Sequence, residues 1–356
     1  MDARTELTHL LRPAAAGLYV VSTGLAEQRA VQRKLYGVDD DAAIERAFQE
    51  ALDRVASARV LILGVPSDVG AGYRRGANLG PQAVRGALLD DETRSFMQAN
   101  AIVDVGDVRV VPQLLHDEML STAQIDRTRA ALYDGLPLPV SPLSIEERAL
   151  GLLSTLAPAA KVFVLGGDHS VAWPVAAHLH RVRRDRWGVV QPDAHTDLLP
   201  HRLGVPYCFA TWSYHANELL GRDGRMVQVG TRASGRDRGH WESSLAVRQF
   251  WAEEILRDPD GALDAVMAHL QSRGVESVYF TNDIDGTDAA WADATGTPEA
   301  AGLTPEWIVA LIRRLGALGI CAADVVEVAP PLGPDGGART VALAARYVRE
   351  TLRAMV

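Results

Sequence analysis

Six short, mostly apolar runs set the strongest limit on what this chain can fold into. They fall at residues 59–64, 161–165, 188–190, 226–230, 278–281 and 320–328. Runs this short and this apolar read as strands buried on both faces, the pattern of a parallel sheet. Between them lie stretches with helical spacing, including 145–156, 264–273 and 305–315. Alternation of this kind predicts an α/β fold of three layers, with helices on both faces of a central, mostly parallel sheet. Residues 1–57 read as a polar helical extension, with Ala43, Ile44, Ala47, Leu52 and Val55 at helical spacing over 42–56. Residues 58–356 then form one domain, because no repeat, low-complexity tract or linker divides them.

The formal charge of −9 argues against a nucleic-acid partner, which needs a clustered basic surface. The one basic stretch, 181–186, is interrupted by Asp185 and reads as a solvated helix end. Nor is a membrane partner expected, since no segment approaches the roughly 20 apolar residues of a spanning helix. Two cysteines, Cys208 and Cys321, make a disulfide framework improbable. With no signal-like N-terminus at Met1–Glu6, a cytoplasmic location is expected.

Three of the runs end in carboxylates and histidines, at the strand ends where open α/β sheets collect ligands. His169 follows Gly166-Gly167-Asp168; taken alone, such a histidine is more often a hydrogen-bonded structural residue. Asp193, His195 and Asp197 alternate with Ala194 and Thr196, so an extended segment would turn all three to one side. Ligand-type groups converging in this way repel and desolvate one another unless a cation compensates them. Asp283 and Asp285 repeat the alternation after the fifth run. Four carboxylates and two imidazoles form an oxygen-rich set that suits manganese better than zinc. Six ligands exceed the needs of one catalytic ion, so two divalent ions sharing carboxylates, about 3.5–4 Å apart, fit the count.

Gly166-Gly-Asp-His169, Asp193-Ala-His-Thr-Asp197 and Thr281-Asn-Asp-Ile-Asp285 resemble, in order, the three metal-binding signatures of the ureohydrolase (arginase/agmatinase) family. Gly64-Val-Pro-Ser-Asp-Val-Gly70, Arg75-Gly-Ala-Asn-Leu-Gly-Pro81 with Val84-Arg85, Thr295-Gly-Thr-Pro-Glu299 and Asp324-Val-Val-Glu327 extend the likeness over residues 59–352. The resemblance implies an arginase-like fold and hydrolysis of a guanidino compound, an agmatine-like amine or a guanidino acid, to urea and an amine by a metal-bridging hydroxide. It assigns His169, Asp193, Asp197 and Asp283 to one metal and Asp193, His195, Asp283 and Asp285 to the other, with Asp193 and Asp283 as bridges. Manganese is the expected metal, with nickel or iron as alternatives. Glu327 would face the substrate's guanidinium, and the chain would assemble as a homotrimer or homohexamer.

Several positions depart from the family pattern. Cys208-Phe-Ala-Thr-Trp212 stands where agmatinase-like members carry the histidine that delivers a proton to the leaving amine. His215, in the catalytic set, or His201 would substitute, or solvent would serve; Cys208 as nucleophile is the sharper alternative to a small core residue. Leu199 replaces the asparagine with which arginases read an amino-acid carboxylate, which disfavours arginine. Asn282, Ala289, Asp293 and Pro192 also differ, at positions near the mouth. Trp212 is expected to bind substrate, and with Trp241, Trp251 and Trp291 it would narrow the site enough to make guanidine itself an alternative substrate. A non-catalytic metal-binding homologue is the alternative of a different class.

Overall fold

The computed structural model describes residues 1–356. Nine strands form one sheet: β1 (Leu11–Arg12), β2 (Val60–Val65), β3 (Ile102–Val108), β4 (Lys161–Gly166), β5 (Trp187–Pro192), β6 (Met226–Thr231), β7 (Arg248–Trp251), β8 (Ser277–Asp283) and β9 (Ile320–Val326). Their order across the sheet is β1-β3-β2-β4-β9-β8-β5-β6-β7. Every neighbouring pair is parallel except β1 and β3.

All residues of β2, β5, β6, β8 and β9 are buried, which is why these strands read as mostly apolar runs. Successive residues feed opposite faces: Leu61 and Leu63 enter one core, Val60 and Ile62 the other. The helices Pro142–Leu156 and Ala172–Val182 pack on the first face. Pro305–Leu318 and Ala338–Met355 pack on the second. Thr304 caps the third of these by accepting from the Trp307 amide at 3.2 Å, which fixes where the chain turns from loop to helix. No helix is long and apolar enough to cross a membrane.

Two full-length strands escape a reading based on apolar runs. β7 is four residues long and carries Arg248 and Gln249. β3 carries Asp104 and Asp107, both buried, which break the apolar pattern. Their partner is Arg85, itself 1% exposed, which donates to Asp104 through Nε at 2.8 Å and to Asp107, and reaches the Gly106 carbonyl at 3.1 Å. Asp107 also accepts from the Gly17 amide at 3.3 Å, so this charge cluster ties the N-terminal segment to the sheet.

That segment is more than a helical cover. Residues 1–57 contain the helices Ala3–Leu10, Leu25–Tyr36 and Asp41–Asp53, but they also supply β1 as the antiparallel edge of the sheet. Leu7, Leu10, Phe48 and Leu52 are buried in the same core as β2 and β3.

The strand order sets β4, β9, β8 and β5 side by side, so their carboxyl ends share one rim of the sheet. Removing the Arg85 charge tests how much this cluster on β3 contributes to the stability of the fold. Arg85→Met leaves Asp104 and Asp107 buried without a counter-charge and should cost about 3–5 kcal/mol, read as a lower midpoint in urea unfolding. A loss below about 1 kcal/mol would show that the cluster is dispensable.

Candidate metal centre

Each functional side chain stands just beyond a strand end. After β4, Gly167 passes so close to Ser67 that a Cβ would lie 1.8 Å from its carbonyl oxygen. Asp168 then accepts from the Ser170 amide at 2.8 Å and the Gly70 amide at 3.0 Å, which fixes the turn that lifts His169 over the rim. Gly70 is needed there for close packing, since its Cβ would meet Ser170 Oγ at 2.5 Å.

His169 is buried, with Nε2 hydrogen-bonded to Thr281 Oγ1 at 2.9 Å, so Nδ1 is the nitrogen turned to the carboxylates. Nδ1 lies 3.4 Å from Asp193 Oδ2, 3.2 Å from Asp197 Oδ2 and 3.1 Å from Asp283 Oδ2. None of these contacts has hydrogen-bond geometry, so a buried polar atom is left without a partner. His195 Nδ1 makes the second group, 3.5 Å from Asp193 Oδ1 and 3.1 Å from Asp285 Oδ2. The ligand atoms of His169, Asp193 and Asp283 lie within 4.8 Å of one another, as do those of Asp193, His195 and Asp285. Asp193 belongs to both groups.

The sequence alternation predicts that Asp193, His195 and Asp197 share one side of an extended segment. The structure corrects this. β5 ends at Pro192, and Asp197 adopts φ 52°. A turn, not the pleat of a strand, therefore sends Asp197 to His169 while His195 goes to Asp285.

Burial, then Asp285 and Asp193, push the Asp283 carboxyl well above the usual carboxylate range. Burial and Asp193 raise Asp197 to about 6. Burial opposes ionisation of Asp193 too, but its contacts with His169 and His195 hold it below its ordinary value. His195 is pushed up to about 12, against burial, by Asp285 and Asp193. Such a set is held together by positive charge, and its oxygen-rich donors and the unpartnered Nδ1 of His169 fit divalent cations.

The supporting residues were not visible as motif members. Gln191 donates to Asp193 Oδ2 at 2.6 Å. Gln191, Gln228 and Gln249 stand in register on β5, β6 and β7 and pass one amide chain between them, at 2.8 Å for each link. Thr297 Oγ1 donates to Asp285 Oδ2 at 2.9 Å. The one available signal was a glutamine inside each of three otherwise buried strands.

Trp212 requires a correction. It is fully buried, donates from Nε1 to Asp197 Oδ2 at 3.0 Å and packs on the His169 ring at 4.6 Å. It packs beneath Asp197 and His169 and leaves no exposed face for a substrate. The structure does not bring His215 to the carboxylates. Its Nε2 meets the Pro206 carbonyl at 2.9 Å, and its ring sits among Trp173, Tyr207 and Tyr214. His201 is exposed on the loop before Cys208, and Cys208 is buried with its thiol pushed up by that burial.

Glu327 lies just past β9 at φ 62°, its amide donating to the Gly167 carbonyl at 2.8 Å. Its Oε1 accepts from the His169 amide at 2.9 Å. Burial and Asp168 push its carboxyl well up. Above the centre opens a cavity of about 550 Å³, with His195, Thr196 and Asp197 at its floor and Trp241 on its wall. Of the other tryptophans, Trp251 bonds to Gln249 at 3.0 Å and Trp291 is half exposed, and neither lines this cavity.

Residues 58–353 match the arginase family. The chain belongs to that family. It is 30% identical over 302 residues to the guanidinobutyrase of Pseudomonas aeruginosa, covering 82% of this chain and 84% of that protein. It is 31% identical over 277 residues to the agmatinase of Chromobacterium violaceum, covering 76% of each. Among solved structures, the proclavaminate amidino hydrolase of Streptomyces clavuligerus superposes with a TM-score of 0.66 at 27% identity, over 83% of this chain and 91% of that one. As a member of the arginase family, it is a hydrolase of the agmatinase type, acting on C–N bonds.

If Trp212 orients Asp197, Trp212→Phe keeps the packing but loses the hydrogen bond and should weaken metal affinity about 10–100-fold. Competition with a chromophoric chelator reads this directly, and unchanged affinity would refute the positioning role.

Proposed function

We propose that this arginase-family hydrolase is a binuclear-metal amidinohydrolase that cleaves a guanidino compound to urea and an amine. The observation that carries this reading is the place of Asp193 in both ligand groups, beside an unpartnered His169 Nδ1. His169, Asp193, Asp197 and Asp283 would hold one divalent ion, and Asp193, His195, Asp283 and Asp285 the other. Manganese suits the donors best, with nickel or iron as substitutes. Two such ions, when bound, supply a hydroxide nucleophile near neutral pH.

The chain's own residues do the rest. Glu327 has Oε1 committed to the His169 amide, which leaves Oε2 to accept from a guanidinium N–H. Gly296 faces it, and a Cβ there would stand 3.8 Å from Oε2. A bound guanidinium would also offset the burial that pushes Glu327 toward its neutral form. The leaving amine must gain a proton, and with His215 held on Pro206 the open cavity delivers it from solvent. The cavity, at about 550 Å³, has room for a substrate with a tail, which favours such a compound over guanidine. We propose a homotrimer or homohexamer, as the family resemblance implies, and a cytoplasmic location.

Metal analysis of the reconstituted enzyme should find two divalent ions per chain, with both lost in Asp193→Ala. Full metal content in that variant would sink the reading. Glu327→Gln should cut kcat/KM for urea release about 10²-fold or more, since a buried charge-assisted contact to the reacting group is lost. Cys208→Ser and His215→Ala should stay within about tenfold of the parent kcat, short of the 10²–10⁴-fold that loss of a general acid costs. Light scattering should give three or six chains per particle, and a monomer would contradict the assembly.

A further inference from the structure

We propose that the outer part of the cavity over His195 is a subsite for an anionic tail, which makes ω-guanidino carboxylates the preferred substrates and guanidino amines poor ones. The inference rests on the hydrolytic reading above and specifies the other end of the molecule being cleaved.

Charge inventory carries the argument. The one carboxylate lining this cavity is Asp197, and it is committed inward, accepting from Trp212 Nε1 at 3.0 Å and lying 3.2 Å from His169 Nδ1. Against it stand Arg202 and Arg236, with neither guanidinium in an ion pair or a side-chain hydrogen bond to the protein. The imidazole of His240 adds a further donor. Asp237, the nearest carboxylate in sequence to Arg236, does not line the cavity and is occupied in capping the His240 amide at 2.7 Å. An ammonium tail would find no free carboxylate here, whereas a carboxylate tail meets two donor forks.

Both arginines are presented from built loops. Arg202 and Val205 exchange two backbone hydrogen bonds of 2.9 Å, and the Arg202 guanidinium lies 5.1 Å from the Phe209 ring centroid. On the other wall, Ser234 Oγ donates to the Arg236 carbonyl at 2.6 Å and accepts from Trp241 Nε1 at 2.9 Å. The base of that loop is pinned where the Arg232 and Ala233 amides both reach the Ala194 carbonyl at 2.9 Å, next to His195. Arg232 reinforces it by donating to the carbonyls of Asp285 at 2.7 Å and Glu299 at 2.8 Å. Leu199, Phe209 and Trp241 give the same cavity apolar lining, which suits a methylene spacer.

The test compares three compounds of equal length on the metal-loaded enzyme: 4-guanidinobutyrate, agmatine and the neutral guanidino alcohol. The carboxylate should have the highest kcat/KM and the amine the lowest, with the spread shrinking as salt rises. Because both arginines are exposed, Arg202→Gln and Arg236→Gln should each reduce the acid-to-alcohol ratio only about 3- to 10-fold. Arg236→Glu should move the preference toward the amine. A preference for agmatine in the parent enzyme, or ratios untouched by all three variants, would overturn the proposal. Absence of urea from every compound would instead count against the hydrolytic reading. Calorimetric binding of the same three compounds then decides the tail subsite by itself, equal affinities overturning it and tighter binding of the acid upholding it.

Discussion

Everything about this centre depends on how much negative charge is packed at one rim of the sheet. Asp193, Asp197, Asp283 and Asp285 are all buried, and their nearest counter-groups inside the protein are two imidazoles. Four ionised carboxylates in so dry a place are tolerable only with cations among them, because burial and mutual repulsion otherwise drive protons onto them. The upward shifts of Asp197 and Asp283, beside the downward shift of Asp193 between its two histidines, express that competition. The protein holds the arrangement in place with neutral hydrogen bonds from Thr281, Gln191, Thr297 and Trp212, which fix directions without adding charge.

The sheet makes such precision possible. β4, β9, β8 and β5 are neighbours, so residues far apart in the chain arrive at one rim with the rigidity of a ladder of backbone hydrogen bonds. The glutamine chain across β5, β6 and β7 extends this rigidity sideways, reaching Asp193 through Gln191. Two strands from β4, beside β3, Arg85 performs a structural version of the same task. There a protein cation neutralises Asp104 and Asp107, and the cluster needs nothing from outside. The contrast separates a charge cluster neutralised from within the protein by an arginine from one whose carboxylates have only imidazoles among them.

Substrate choice belongs to a different level of the structure. The clustered carboxylates, the histidines and Glu327 sit at or just past strand ends, but the cavity walls include the loops around Arg202 and Arg236. Loops of this kind change readily while a scaffold stays the same. A guanidinobutyrase and an agmatinase stand at nearly equal identity to this chain, 30% and 31%, in keeping with a shared scaffold whose loops differ.

The mostly apolar runs at 59–64, 161–165, 188–190, 226–230, 278–281 and 320–328 were enough to determine six of the strands, because a strand buried on both faces is dominated by apolar residues. The ligand types and their spacing likewise made the six-residue cluster legible, since few other roles call for so many carboxylates and histidines at strand ends. Tertiary structure alone decided the rest. β3 was hidden because Arg85, from a helix elsewhere in the chain, neutralises its aspartates, and no local pattern records a partner that distant. Trp212 and His215 lie within four residues of each other on one helix, yet the helix turns the first under Asp197 and the second onto Pro206. Side-chain direction on a helix follows from which face packs inward, and that is set by the sheet beneath it.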